Sequence, residues 1–192
     1  MSKELEDQTK NAFDFIQKLF FEVSYLIKEV EGMLQLEEEQ FVICRPSGYA
    51  VTTRTSTGLE PSNVELWLPR AFTVCFCPSD KTKMEKGQTN TPITDDLKLL
   101  VMDIALKGKQ VDSPTILAGC LSNISPKKEY EKFERFMYAF SYNRGKAFSA
   151  TSYEDSYVSF SAQYIKRRLF SIKDSDAVKK ELVDPMIKMF RG

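Results

Sequence analysis

The side chains this 192-residue chain offers for chemistry are carboxylates, thiols, lysines and tyrosines, because it contains no histidine. That removes histidine-dependent triads and dyads, zinc sites built on imidazole, and the usual general base at neutral pH. A nucleophilic cysteine would need some other activating group. Asp103 is the most unusual of the remaining groups. It sits between Val101 and Ala105 in the apolar run LKLLVMDIALK, where an unpaired carboxylate would be costly. One role is structural, an acceptor bonded by Arg, Lys, Tyr or backbone groups at the rim of a sheet. The other is a carboxylate that holds Mg²⁺ or acts as a base, with Glu65 of a neighbouring strand beside it. The acid-x-Lys pair that often accompanies such a site is poorly matched: Asp103 and Lys107 are spaced wrongly, and Asp96-Leu97-Lys98 is a triplet common by chance.

Cys75-Phe76-Cys77 puts two thiols on one face of an extended segment, with Cys44 and Cys120 elsewhere in apolar surroundings. Structural zinc normally uses cysteines two to four residues apart on turns, so buried small hydrophobes are the better reading and no metal site is assigned. Two clusters interleave aromatic and basic residues: Tyr142, Arg144, Lys146 and Phe148, then Tyr164, Lys166, Arg167, Arg168 and Phe170. Such mixtures stack bases and hold phosphates, or line a small-ligand pocket; equally, they are helix-packing aromatics beside a wet cationic face. No glycine-rich phosphate loop, EF-hand or zinc finger is present, and no cofactor is indicated.

The elements that must position these groups are organised around Leu97–Ile124. Its first run is apolar at both alternating sets of positions, as in a strand covered on both faces. A second run from Thr115 to Leu121 follows a polar segment with Gly108, so the stretch predicts a central β-hairpin. Upstream, Leu5–Glu38 predicts a long helix, with Phe13, Ile16, Phe20, Val23, Ile27, Val30 and Leu34 at steps of three or four. At ~1.5 Å per residue it would reach roughly 50 Å, more than a domain of this size needs, so part of it is expected to project towards a second subunit. Residues 40–78 are β-rich with a turn at Pro46-Ser47-Gly48, and the polar stretch Ser79–Asp95 is expected to be disordered. Downstream, Ser125-Pro126 opens a helix ending near Gly145. Residues 152–172 carry strand-like alternation in VSFSAQY. Helical spacing, a capping-box pattern at Ser152 and Asp155, and terminal charges of the right sign favour a helix there. A last helix begins near Ser175 and is kinked or restarted at Asp184-Pro185.

The expected architecture is a single α+β domain over residues 1–192, helical over 1–39, β-rich over 40–124 and helical over 125–192. A mostly antiparallel sheet of about five or six strands carries the long N-terminal helix and three C-terminal helices. Hydrophobic residues make up 42% and charged residues 28% of the chain, and 27 basic residues balance 27 acidic ones, so net charge argues neither for nor against a polyanionic partner. The distribution is uneven: residues 1–39 carry a net −6 and residues 127–192 a net +5. The polar, acidic start is unlike a secretory signal and no apolar run spans a membrane, so the expectation is a cytoplasmic protein with reduced thiols and no membrane partner. The leading functional expectation is a non-catalytic binding or assembly module that forms homo-oligomers through its N-terminal helix. Nucleic-acid binding or metal-dependent nucleic-acid processing is the alternative, and a small-ligand protein with an aromatic pocket is a further one.

Overall fold

A computed structural model describes residues 3–51, 68–106, 113–128, 131–147 (142–147 as backbone) and 151–192. Its centre is the expected hairpin: β6 (Leu99–Ala105) pairs antiparallel with β7 (Thr115–Pro126), Leu100 opposite Cys120 and Asp103 opposite Leu117. All seven residues of β6 are buried, as apolar side chains on both faces demand. The hairpin lies inside a seven-stranded antiparallel sheet, larger than the five or six strands expected. On one side β6 pairs with β3 (Ala71–Pro78), whose far edge is shared end to end by β1 (Phe41–Ile43) and β2 (Tyr49–Val51). On the other, β7 pairs with β9 (Val158–Arg168), and β9 with the short edge strand β8 (Ser152–Glu154).

Helices cover both faces. On one, Val23, Val30 and Leu34 of α1 (Lys3–Gln35) pack on Val74, Phe76, Leu100, Met102, Ile104 and Ile116. The same layer takes Val178, Leu182, Val183, Met186 and Ile187 from the C-terminal helical stretch. On the other face α2 (Phe133–Ala147) sets Phe133, Phe136, Met137 and Phe140 against Cys75, Cys77, Leu99, Val101, Leu121 and Phe160. The result is an α+β architecture of three layers, with the sheet in the middle.

Four expectations about the chain are corrected. The helix predicted over 152–172 is the β8–β9 hairpin. Asp155 does cap, but it caps a turn: its Oδ1 accepts from the N–H of Tyr157 at 2.6 Å and of Val158 at 2.8 Å, and Tyr153 Oη donates to Oδ2 at 2.8 Å. Burial alone would raise the Asp155 carboxyl, but these three donors, with Lys127 nearby, outweigh it and hold it below the usual range. Ser125 and Pro126 end β7, opposite Ser159 and Val158, instead of opening a helix; α2 starts seven residues later, at Phe133. The polar stretch Ser79–Asp95 is ordered. It holds a 3₁₀ turn at Ser79–Lys81 and the hairpin β4 (Lys83–Glu85) and β5 (Gln88–Asn90). Both residues of that hairpin's turn, Lys86 and Gly87, have positive φ, the geometry a two-residue connection requires. Finally, the C-terminal helices number fewer than expected before Ser175, and the last stretch is segmented. There α3 (Ser175–Val178) passes through a π-turn at Lys179–Val183 into α4 (Asp184–Arg191). Pro185 has no N–H to donate, and the widened turn before it accommodates that loss.

Candidate interaction surface

α1 is one continuous helix of 33 residues, but its two halves live in different environments. From Leu19 onward it belongs to the domain: Leu19, Val23, Leu26, Ile27, Val30, Met33 and Leu34 pack in the core below, and Phe20 meets Phe72 edge to face at 5.6 Å. Before that point every residue from Lys3 to Phe15 is exposed. The apolar stripe nevertheless continues. At 3.6 residues per turn, Leu5, Thr9, Ala12 and Ile16 stand in line with Leu19, Val23 and Val30, with Phe13 and Phe15 on the two shoulders. Leu5 is 45% exposed, Phe13 67% and Phe15 66%. The arm therefore presents to water the same kind of face that its second half buries. Length and periodicity signalled this in the sequence; the point at which the domain stops covering the helix did not follow from them.

The carboxylate reading of Asp103 finds a buried polar pair instead of an open site. Asp103 is 2% exposed and lies directly opposite Thr73, which is fully buried and donates from Oγ1 to Oδ1 at 2.5 Å. Its row continues through Leu117 to Lys166 two strands away. Glu65 lies outside the described residues. Among the described residues no group of three or more His, Cys, Asp or Glu is placed to hold a metal ion.

The basic cluster on β9 is split by the pleat. Tyr164, Lys166 and Arg168 share the face that α2 covers, opposite Gly119, Leu117 and Thr115, while Arg167 projects to the other face and pairs with Glu181 at 3.1 Å. Lys166 and Arg168 are exposed, so two cations follow Tyr164 along this side and the third stands on the other. Tyr142, Arg144 and Lys146 lie in the second half of α2, in the layer over that same face; their side chains fall outside the described residues. The phenylalanines of α2 pack on one another and on the sheet, Phe136 against Phe140 at 6.1 Å and Phe140 against Phe160 at 5.7 Å, while Tyr138 is exposed.

All four cysteines are free and buried. Cys44, Cys75 and Cys77 meet on the α2 side. Burial pushes the Cys44 and Cys75 thiols up, while hydrogen bonds from Cys44 and Thr91 hold Cys77 down. Burial also raises Cys120, to about 11, so the thiols other than Cys77 are poor nucleophiles at neutral pH. An open depression of about 570 Å³ beside α4 is lined by Glu37, Lys179, Asp184, Ile187, Lys188 and Arg191. Most of its charges already pair, Lys179 with Asp184 and Arg191 with Glu37. Arg191 grips Glu39 through Nε at 2.9 Å and Nη2 at 2.6 Å and reaches Glu37 at 3.2 Å, which holds Glu39 below the usual carboxylate range.

No helix among the described residues is long and apolar enough to cross a membrane. No family model, no curated protein and no solved structure matches this chain.

Proposed function

We propose that this protein is a non-catalytic binding or assembly module that associates with copies of itself through the first half of α1. One observation carries the reading: an apolar stripe, in line with the buried face of the same helix, that the domain leaves in water over residues 5–15. Keeping two phenylalanines and a leucine in contact with water on a projecting helix costs solubility, and a face of this kind on a soluble chain marks an interaction site. A cytoplasmic setting with reduced thiols fits the four free cysteines and belongs to the same proposal. The nucleic-acid reading draws less support, because the pleat divides Lys166, Arg167 and Arg168 between two faces.

Deleting the whole N-terminal segment would remove Val23, Val30 and Leu34 from the core, so the test uses substitutions in the arm. Light scattering on the full chain is expected to give, at high concentration, twice the 22.1 kDa of one copy. Replacing Phe13→Glu and Phe15→Glu together is expected to weaken association roughly 30-fold or more, with an unchanged circular dichroism spectrum. An unmodified chain that stays at the mass of one copy across the accessible concentrations would overturn the proposal.

A further inference from the structure

We infer that the second copy binds the arm antiparallel, about a two-fold axis near Ala12, so that each first half of α1 lies against the other. The inference rests on the self-association proposed above and adds its geometry. The stripe that is exposed over Leu5–Phe15 faces the same direction as the stripe that Leu19–Leu34 gives to its own sheet. The space in front of the helix is therefore filled by the protein's own sheet from Leu19 onward and is open only before it. A second helix running parallel in that space would drive its own second half into the sheet of the first copy. Running antiparallel, it lies along the exposed arm, its first turn reaching the half-buried Ile16–Leu19 turn where the sheet begins, and its domain continues away beyond the N-terminus of the first. The arrangement is isologous and closes on itself, as a two-fold interface must.

The side chains suit such a pair. With the axis near Ala12, small residues (Thr9 and Ala12) stand at its centre, where two helix backbones approach closely, and Leu5 of one arm meets the Ile16–Leu19 turn of the other. Phe15 of each copy lies along one edge of the contact and Phe13 along the other. Glu4 of one arm falls on the same edge as Lys18 of the second copy, so the charges are complementary in this direction. Aromatic side chains carry ~150–250 Å² each, and Phe13 and Phe15 are about two-thirds exposed. With Leu5 and Ile16, two arms remove on the order of 800 Å² from water, below the ~1,200 Å² where standard specific interfaces begin, so association is weak and concentration-dependent.

Single nitroxide labels at Lys3→Cys and Asn11→Cys, both exposed positions, test the direction by pulsed dipolar spectroscopy on the full chain. The native thiols are between 0% and 4% exposed and leave the introduced cysteine as the reactive one. In an antiparallel pair each step away from the axis separates the labels along both helices, so the distance between copies at Lys3 is expected to exceed that at Asn11 by more than ~10 Å. Equal distances at the two sites would mean a parallel pair and overturn the inference while leaving self-association standing. No distance between copies at either site, in a sample that scatters light as single copies, would remove both.

Discussion

Gly119→Ala is expected to lower the stability of this domain by about 3 kcal/mol or more, although it adds a single methyl group. Gly119 is in the middle of β7, opposite Val101 on one side and Tyr164 on the other. A Cβ there would lie 2.0 Å from the Gln163 carbonyl oxygen and 2.7 Å from the Tyr164 Cα. Both obstacles are backbone, held in the β7–β9 ladder by bonds on either side, so no side-chain rotation relieves the clash. Relief requires the two strands to separate at the centre of the sheet, where both cores meet. Whole domains are stable by only ~5–15 kcal/mol, so the variant is expected to melt far below the native protein or to express poorly. Urea denaturation followed by circular dichroism measures it. A loss under ~1 kcal/mol would mean that Tyr164 does not lie over Gly119 as described.

The second large effect is expected at Asp103. Removing the carboxylate in Asp103→Ala takes away the acceptor that the fully buried Thr73 hydroxyl uses, and leaves a polar gap between β3 and β6. The expected cost is about 3 kcal/mol, whereas Asp103→Asn keeps an acceptor and is expected to cost roughly a third of that. Thr73→Val combined with Asp103→Ala should cost less than the two changes added together, with a coupling of ~1 kcal/mol or more. The opposite sign would be informative. If Asp103→Leu made the protein more stable, the carboxylate would be kept at a cost to the fold, and a functional role for Asp103 would replace the structural one.

The centre of the fold was legible because β6 is apolar at every position but Asp103, with Lys98 before it as a boundary, and its seven residues are too few for an ordinary buried helix. The long helix was legible through its own repeat, an apolar stripe kept over about six turns from Phe13 to Leu34. The failures have particular causes. Val158 and Ala162 are four residues apart, a spacing that keeps one face in a helix and, being even, also keeps one face in a strand. In β9 it is the strand that wins, with Val158, Phe160 and Ala162 all buried on the α2 side. Asp155 misled in the same way, because a side chain that accepts from N–H groups two and three residues on serves a turn as well as a helix start. Ser125-Pro126 has the composition of a helix entry, but β7 extends past a register shift between Ser122 and Ser125 to reach it.

For the surface, the sequence contained the stripe but not its edge. Nothing in the spacing of Phe13, Ile16, Phe20 and Val23 distinguishes the residues that meet the sheet from those that do not; that division depends on where β1, β3 and α3 end. The basic cluster had the reverse problem. Three consecutive cations look like one patch in the sequence, and the two-residue repeat of a strand sends the middle one, Arg167, to Glu181 on the far side.

Hydrogen exchange of the unmodified chain at two concentrations reports whether a second copy covers the first half of α1. A helix that touches only water opens locally at little cost, and burial against a second copy suppresses that opening. Raising the concentration from about 5 μM to about 500 μM is expected to slow exchange over residues 5–18 by roughly 10-fold or more, while residues 23–34, already packed on the sheet, stay unchanged. Exchange over residues 5–18 that is the same at both concentrations would contradict the proposed self-association through α1.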